Sequence, residues 1–242
     1  MNTIKIKSKS VKMVAHRGLS GLERENTAAA FIAAGNRSYF GIETDIHKTA
    51  DGKFVVIHDE STKRVSGDKI DINVELVTSA EIERITLPDI DKSTNRADIK
   101  IPFLKDYIKI CKKYEKVCVL ELKNAFEKED IVKIIDEIKE EDYLENVIFI
   151  SFVWENCIAL RSILKESDIQ FLTGNEVDDE LIKKLKKENL NLDIHYKKLT
   201  KEAVKKLHKN GIKVNCWTCD DKAEAEKLVK MGVDFITSNI LE

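Results

Sequence analysis

Apolar and polar positions alternate along this chain in two rhythms. Short runs rich in β-branched and aromatic residues recur at 12–15, 41–46, 117–122, 147–152, 170–173, 192–194, 213–217 and 234–236. Between them lie lysine-studded stretches with apolar residues three and four apart, near 25–35, 103–113, 128–140, 154–165, 178–187, 200–209 and 221–230. The first rhythm is that of buried strands, the second that of helices with one face against a core. Helix starts are legible where Asp178, Thr200 and Asp220 or Asp221 precede an apolar stripe, and Gly211 and Gly232 stand where helices end. Eight strands separated by helices predict a parallel sheet closed into a (β/α)₈ TIM barrel, with a doubly wound open sheet as the alternative. Even spacing favours closure, as does the lack of a glycine-rich dinucleotide fingerprint after the first strand.

One stretch departs from this rhythm. Residues 53–58 form another β-rich run only a few residues after the second strand, too close for a parallel crossover. Asp51-Gly52 is a hairpin turn signal, so 41–48 and 53–58 are read as an antiparallel hairpin that returns His58 beside Glu43 and Asp45. Residues 59–102 are then a small insertion, with a short helix near 79–84, inside a single domain covering 1–242.

Length and composition agree with one barrel: 242 residues, 43% hydrophobic and 35% charged. With 41 basic and 43 acidic residues, the net charge of −2 gives no pull toward nucleic acid, and scattered lysines read as solvated helix faces. No window reaches the roughly 20 apolar residues of a membrane span. The lysine-rich beginning lacks the apolar run of about 7–15 residues that a secretory signal carries. A cytoplasmic location is therefore expected. Five cysteines, an odd number, do not suggest a disulfide framework. Little chain remains after Ile236 for a closing eighth helix, so a short coil or a partner subunit, giving a homodimer, is expected to cover that side.

The chemistry gathers at strand ends, the face where barrel active sites assemble. His16-Arg17-Gly18 ends the first strand, Glu43-x-Asp45 lies on the second, His58-Asp59 on the return arm, and Glu121-Leu122-Lys123 ends the strand 117–122. Residues two apart on a strand share a face, so Glu43 projects with Asp45, and Glu121 with Lys123. Three converging carboxylates repel one another unless a cation joins them. A single hard divalent cation, Mg²⁺ or Ca²⁺, fits such oxygen ligands. His16 and His58 have the range for proton transfer near neutrality, while Arg17 and Lys123 suit phosphate oxygens. Together these residues describe a phosphoryl-transfer site. His47 shares the face of Glu43 and Asp45 but is placed near the rim.

These motifs resemble those of the glycerophosphodiester phosphodiesterase family. The ordered set includes Glu25-Asn26-Thr27, Thr62-x-Arg64 in the insertion, Asn215-x-Trp217-Thr218 and the closing Gly232-Val233-Asp234-Phe235-Ile236-Thr237. The resemblance runs from about residue 11 to 240. It implies metal ligation by Glu43, Asp45 and Glu121, acid–base work by His16 and His58, phosphate contacts from Arg17 and Lys123, and Trp217 lining the pocket. It also implies small glycerophosphodiesters as substrates, cut to glycerol phosphate and an alcohol. Arg24 departs from the proline usual before Glu-Asn-Thr. Cys216-x-x-Cys219 could be a redox pair, but its central Trp217-Thr218 belongs to the phosphodiesterase pattern. A related phospholipase acting on lysolipids, and a barrel that binds phosphodiesters without cutting them, are the competing readings.

Overall fold

The computed structural model describes residues 2–242. The chain runs β1 (Lys12–Ala15), α1 (Ala28–Gly35), β2 (Gly41–Lys48), β3 (Phe54–Val56), α2 (Ser79–Glu83), α3 (Leu104–Lys113) and β4 (Val117–Leu122). It continues through α4 (Lys128–Glu140), β5 (Val147–Ser151), α5 (Trp154–Ile163), β6 (Ile169–Thr173), α6 (Asp179–Lys187) and β7 (Asn191–His195). The last elements are α7 (Lys201–Lys209), β8 (Val214–Trp217), α8 (Lys222–Met231) and β9 (Phe235–Ser238). Thr27, Asp178, Thr200 and Asp221 cap their helices by accepting a backbone N–H three residues on. The first helix therefore begins at Ala28, three residues later than its apolar pattern predicts.

Closure is decided at β1. It pairs in parallel with β2 on one side (Val14↔Gly41) and with β9 on the other (Lys12↔Phe235 to Ala15↔Ser238). The remaining strands follow in chain order, so eight parallel strands form a barrel and the open-sheet alternative falls. The short β3 lies outside this ring, antiparallel to the end of β2, with Ile46 opposite Val56 and Lys48 opposite Phe54. Its far side carries the insertion, whose apolar cluster of Val65, Val74, Ile82, Ile85, Leu87, Ile99 and Ile101 packs on Val55 and Ile57.

Two apolar layers hold the barrel. Helix faces pack on its outside, and Val14, Val119, Ile148, Ile150, Leu172 and Phe235 meet in its interior. Residues 240–242 follow β9 as coil. They pair with residues 4–6, through Ile4 N–H to Ile240 O (3.1 Å), Ile6 N–H to Glu242 O (2.9 Å) and Glu242 N–H to Ile4 O (3.0 Å). Leu241 is buried there, and Ile6 and Ile240 pack on the outer core. The side expected to need a coil or a partner subunit is thus covered by coil of the same chain. Among the described residues no helix is long and apolar enough to cross a membrane, and all five cysteines are buried free thiols.

Candidate active site

The turn after β1 sets the first wall of the site. Arg17 and Gly18 both take left-handed backbone angles (φ 53° and 75°). A side chain at Gly18 would come within 2.6 Å of the Ala30 backbone, so only glycine fits this turn. The turn aims the Arg17 N–H at Glu43 Oε2 (2.8 Å). His16 is held by its Nδ1, 2.7 Å from Asn239 Oδ1. The Asn239 amide nitrogen is committed to Asp220 (2.6 Å), so the oxygen is the atom facing the ring. His16 Nδ1 therefore carries the hydrogen and donates it, leaving the Nε2 lone pair free, 3.9 Å from Glu43. Burial, with the Arg17 charge beside it, lowers His16 to about 4.

Glu43, Asp45 and Glu121 form the second wall. Strand alternation turns Glu43 and Asp45 into the barrel, and the β2–β4 register sets Asp45 opposite Glu121. One oxygen from each lies within 4.8 Å of the others. Burial and mutual repulsion raise Glu43 well above the carboxylate range and push Glu121 up to about 8. Burial acts on Asp45 too, but Arg17 and Lys123 outweigh it and hold that carboxyl low. Asn26, itself left-handed at φ 54°, donates its amide to Asp45 (2.9 Å) and accepts from Thr44 (2.7 Å). Lys123 Nζ sits 2.9 Å from Glu121 Oε1 and 3.6 Å from Asp45 Oδ1. This ion pair lies inside the carboxylate cluster. Three buried carboxylates with converging oxygens are what a divalent-cation site offers.

His58 closes the site from the hairpin. Ile57 N–H to Asp45 O (3.1 Å) extends the β2–β3 pairing and brings His58 beside the carboxylates. Its Nδ1 donates to Asp59 (2.6 Å), Asp59 accepts from Arg64 (2.6 Å), Arg64 forks onto Glu25 (2.7 and 2.9 Å), and Glu25 accepts from Arg17 (2.8 Å). One chain of alternating charges thereby ties the two histidine loops together. Burial, with Arg17 and Lys123 nearby, lowers His58 as well. His47 is not at the rim. It is buried, with Nε2 on the His58 carbonyl (3.0 Å) and Nδ1 on Glu75 (2.9 Å). The insertion folds over the hairpin and covers it.

Both walls face a cavity of about 110 Å³, whose lining includes His16, Arg17, Glu43, His58 and Glu121 from these walls and Trp217 from β8. Asp45 and Lys123 stand directly behind. All eight residues singled out in the sequence meet here. From β5 to β7 the lining continues with Ile150, Phe152, Leu172 and Asp193, Leu172 standing opposite Asp193 in the β6–β7 register. Phe152 is 44% exposed and its ring meets Trp217 edge-on at 5.5 Å. Asp193 and Asn239 are not among the residues the sequence marks, and Asp220 is marked there only as a possible helix start. Each is a lone polar residue on or after a strand, without a paired motif; the only hint was Asp193 between the buried aliphatics Leu192 and Ile194. Cys216 and Cys219 are buried; burial pushes Cys216 far up and Cys219 to about 11, which leaves both poor nucleophiles.

The model of the Glycerophosphoryl diester phosphodiesterase family matches residues 16–241. The chain belongs to the glycerophosphodiester phosphodiesterase family. A glycerophosphodiester phosphodiesterase of Caldanaerobacter subterraneus subsp. tengcongensis is 32% identical, across 94% of this chain and 93% of that protein. The crystal structure of a glycerophosphodiester phosphodiesterase from Parabacteroides distasonis covers 99% of this chain and 94% of its own, at 27% identity and a TM-score of 0.76. An Oleispira antarctica phosphodiesterase, solved in complex with the product sn-glycerol-3-phosphate, shares the fold at a TM-score of 0.83 and 23% identity, over 98% of this chain and 96% of that one. Membership in the glycerophosphodiester phosphodiesterase family makes this chain a phosphodiesterase on a TIM-like barrel.

Proposed function

We propose that this enzyme hydrolyses glycerophosphodiesters such as glycerophosphocholine and glycerophosphoethanolamine to sn-glycerol 3-phosphate and an alcohol. One observation carries this reading: His16 and His58, each tied at Nδ1, flank a single cluster of three buried carboxylates. Glu43, Asp45 and Glu121 would hold one Mg²⁺ or Ca²⁺. When bound, the cation offsets the carboxylate charges and polarises the phosphate.

The chain's own groups do the rest. Arg17 and Lys123 orient the phosphate oxygens and stabilise charge that develops on them. One histidine takes the proton of the attacking hydroxyl as the new P–O bond forms, and the other gives a proton to the departing alcohol as the old one breaks. The attacking hydroxyl belongs to water or to the neighbouring glycerol carbon, the latter giving a cyclic phosphate that water then opens. Trapping the cyclic species separates the two routes. Asn239 and Asp59 fix the ring orientations, and His47 holds the loop that carries His58.

The whole chain acts as one unit, since Arg64 of the 59–102 segment braces Asp59 and Glu25. Five buried free thiols fit a reducing compartment and a cytoplasmic location. The test is release of glycerol 3-phosphate from both substrates with Mg²⁺, Ca²⁺ or chelator, for the wild type, His16→Ala and Glu43→Ala. Cation-dependent release lost in both variants is expected. No release with any cation overturns the reading, and faster cleavage of micellar lysophosphatidylcholine than of glycerophosphocholine transfers it to lysolipids.

A further inference from the structure

Six buried side-chain polar atoms lack a hydrogen-bond partner among the described residues. Four of them, Arg17 Nε, Glu121 Oε1, Asp193 Oδ1 and Trp217 Nε1, belong to residues that line the one cavity described above. Buried polar atoms are nearly always satisfied, so such clustering marks where a ligand completes the bonding. The first two face ion-pair partners in the carboxylate cluster, Arg17 Nε 3.5 Å from Asp45 and Glu121 Oε1 2.9 Å from Lys123. Asp193 and Trp217 stand on the other side and have no role in the reaction as described.

Their placement is built by the sheet. The β7–β8 register sets Asp193 beside Asn215 and His195 beside Trp217, so all four project into the barrel from neighbouring strands. Asn215 donates its amide to Asp193 Oδ2 (3.2 Å) and to Gln170 (3.1 Å), and accepts from Thr237 (3.3 Å). This network holds one Asp193 oxygen and leaves the other open. No lysine, arginine or histidine is bonded to the group. Leu172 stands opposite Asp193 in the β6–β7 register, and Ile150 shares the cavity lining.

We propose that Asp193 and Trp217 form the hydroxyl-binding end of the pocket and seat the glycerol arm of the substrate, a reading that rests on the proposed reaction. A hydroxyl both donates and accepts, and so matches an open carboxyl oxygen and an indole N–H that line the same cavity. Burial, with Glu121 in the same interior, raises Asp193 well above the carboxylate range. A neutral carboxyl suits a polyol and offers nothing to a cationic head group. Ile150 and Leu172 fit the carbon side of the glycerol chain. The alcohol that leaves then points past Phe152 to the open mouth, where head groups of different size are tolerated.

The experiment compares two diesters on the full chain with its cation: glycerophosphocholine and bis(4-nitrophenyl) phosphate, which has no hydroxyl arm. Asp193→Leu is expected to lower kcat/KM for glycerophosphocholine by about 10- to 100-fold, the cost of an unmade buried hydrogen bond. The effect on the nitrophenyl diester stays within about twofold on the same argument. Asp193→Asn, which keeps a polar amide at the site, falls between. Inhibition by sn-glycerol 3-phosphate weakens in Asp193→Leu, and inhibition by inorganic phosphate does not. Asp193→Leu removes an open carboxyl oxygen but also an acceptor of the Asn215 amide, so its melting temperature is measured alongside to show that the variant is folded. Equal losses on both diesters, or no loss on glycerophosphocholine, overturn the inference alone. A wild type that releases no glycerol 3-phosphate overturns the proposed reaction and this inference with it.

Discussion

The barrel buries carboxylates on two sides and treats them differently. On β2 and β4, Glu43, Asp45 and Glu121 crowd together with Arg17 and Lys123 against them and the Asn26 amide behind. On β7, Asp193 has an amide for one oxygen and nothing for the other. Removal from water penalises charge at both places. Partners decide the outcome: Arg17 and Lys123 keep Asp45 ionised in the first cluster even as burial and repulsion raise Glu43 and Glu121. Asp193, with no cation bonded to it, sheds its charge by holding its proton. One side of the pocket is thereby equipped for a charged phosphate, the other for an uncharged arm.

That contrast breaks most visibly at the cluster. Glu43→Gln is expected to cut glycerophosphocholine turnover by about 10³-fold or more, since several kcal/mol of charge stabilisation in the transition state go with the cation. Steady-state rates with added Ca²⁺ or Mg²⁺ check it; near-wild-type rates would remove Glu43 from the cation site. His16→Ala and His58→Ala should each cost about 10²- to 10⁴-fold, the usual worth of a proton-transfer group. Asn239→Ala leaves the His16 imidazole in place but unfixed, and about 10- to 100-fold is the scale of such an orienting partner. A pH–rate profile that keeps its shape while dropping in height would instead point to loss of structure around β9.

Stability measurements sharpen the same comparison. Ca²⁺ or Mg²⁺ at about 100 times its dissociation constant should add roughly 2.7 kcal/mol to unfolding. Chelator should reverse this, Glu43→Gln should abolish it, and Asp193→Asn should leave it intact. Asp193 shows itself through pH. The unfolded chain loses this proton near pH 4 while the fold keeps it, so the melting temperature falls as pH rises above about 4. Asp193→Asn should flatten that fall. Glu242 has the opposite sign. Lys5 and Ser38 outweigh burial and hold it at about 2, so its contribution is whole above its ordinary value and lost as pH drops toward 2. Glu242→Gln should remove only this acid-side loss. Smallest of all, Cys216→Ser combined with Cys219→Ser should change turnover by less than about twofold, because neither thiol ionises readily or touches the carboxylates.

Much of the charged side was legible in the chain itself, because its residues come in pairs two apart on strands or adjacent at strand ends. Alternation places Glu43 with Asp45, and Asp51-Gly52 turns the hairpin that returns His58 to them. Asp193 and Asn239 carry no such local mark. Their meaning depends on which strand becomes a neighbour, and Asp193 meets Asn215 and Gln170 only after the sheet curls closed. His47 shows the same limit. Its face could be read from strand period, but not the insertion that brings Glu75 to its ring. The helix at Ala28 starts late for a local reason, since Asn26 takes a left-handed turn and leaves the cap to Thr27.

The pairing of residues 4–6 with 240–242, beside the β1–β9 ladder, also sets an order of events. A chain synthesised from its N-terminus makes β1 well before β9, yet one of β1's two ladders waits for β9. Contacts this distant in sequence are slow to form, since the loop that joins them must be closed first. The seam at β1 is therefore expected to zip last, with an exposed strand edge on the unfinished barrel until it does. Glu242, bonded to Lys5, Thr3 and Ser38, fastens that seam once both ends have met.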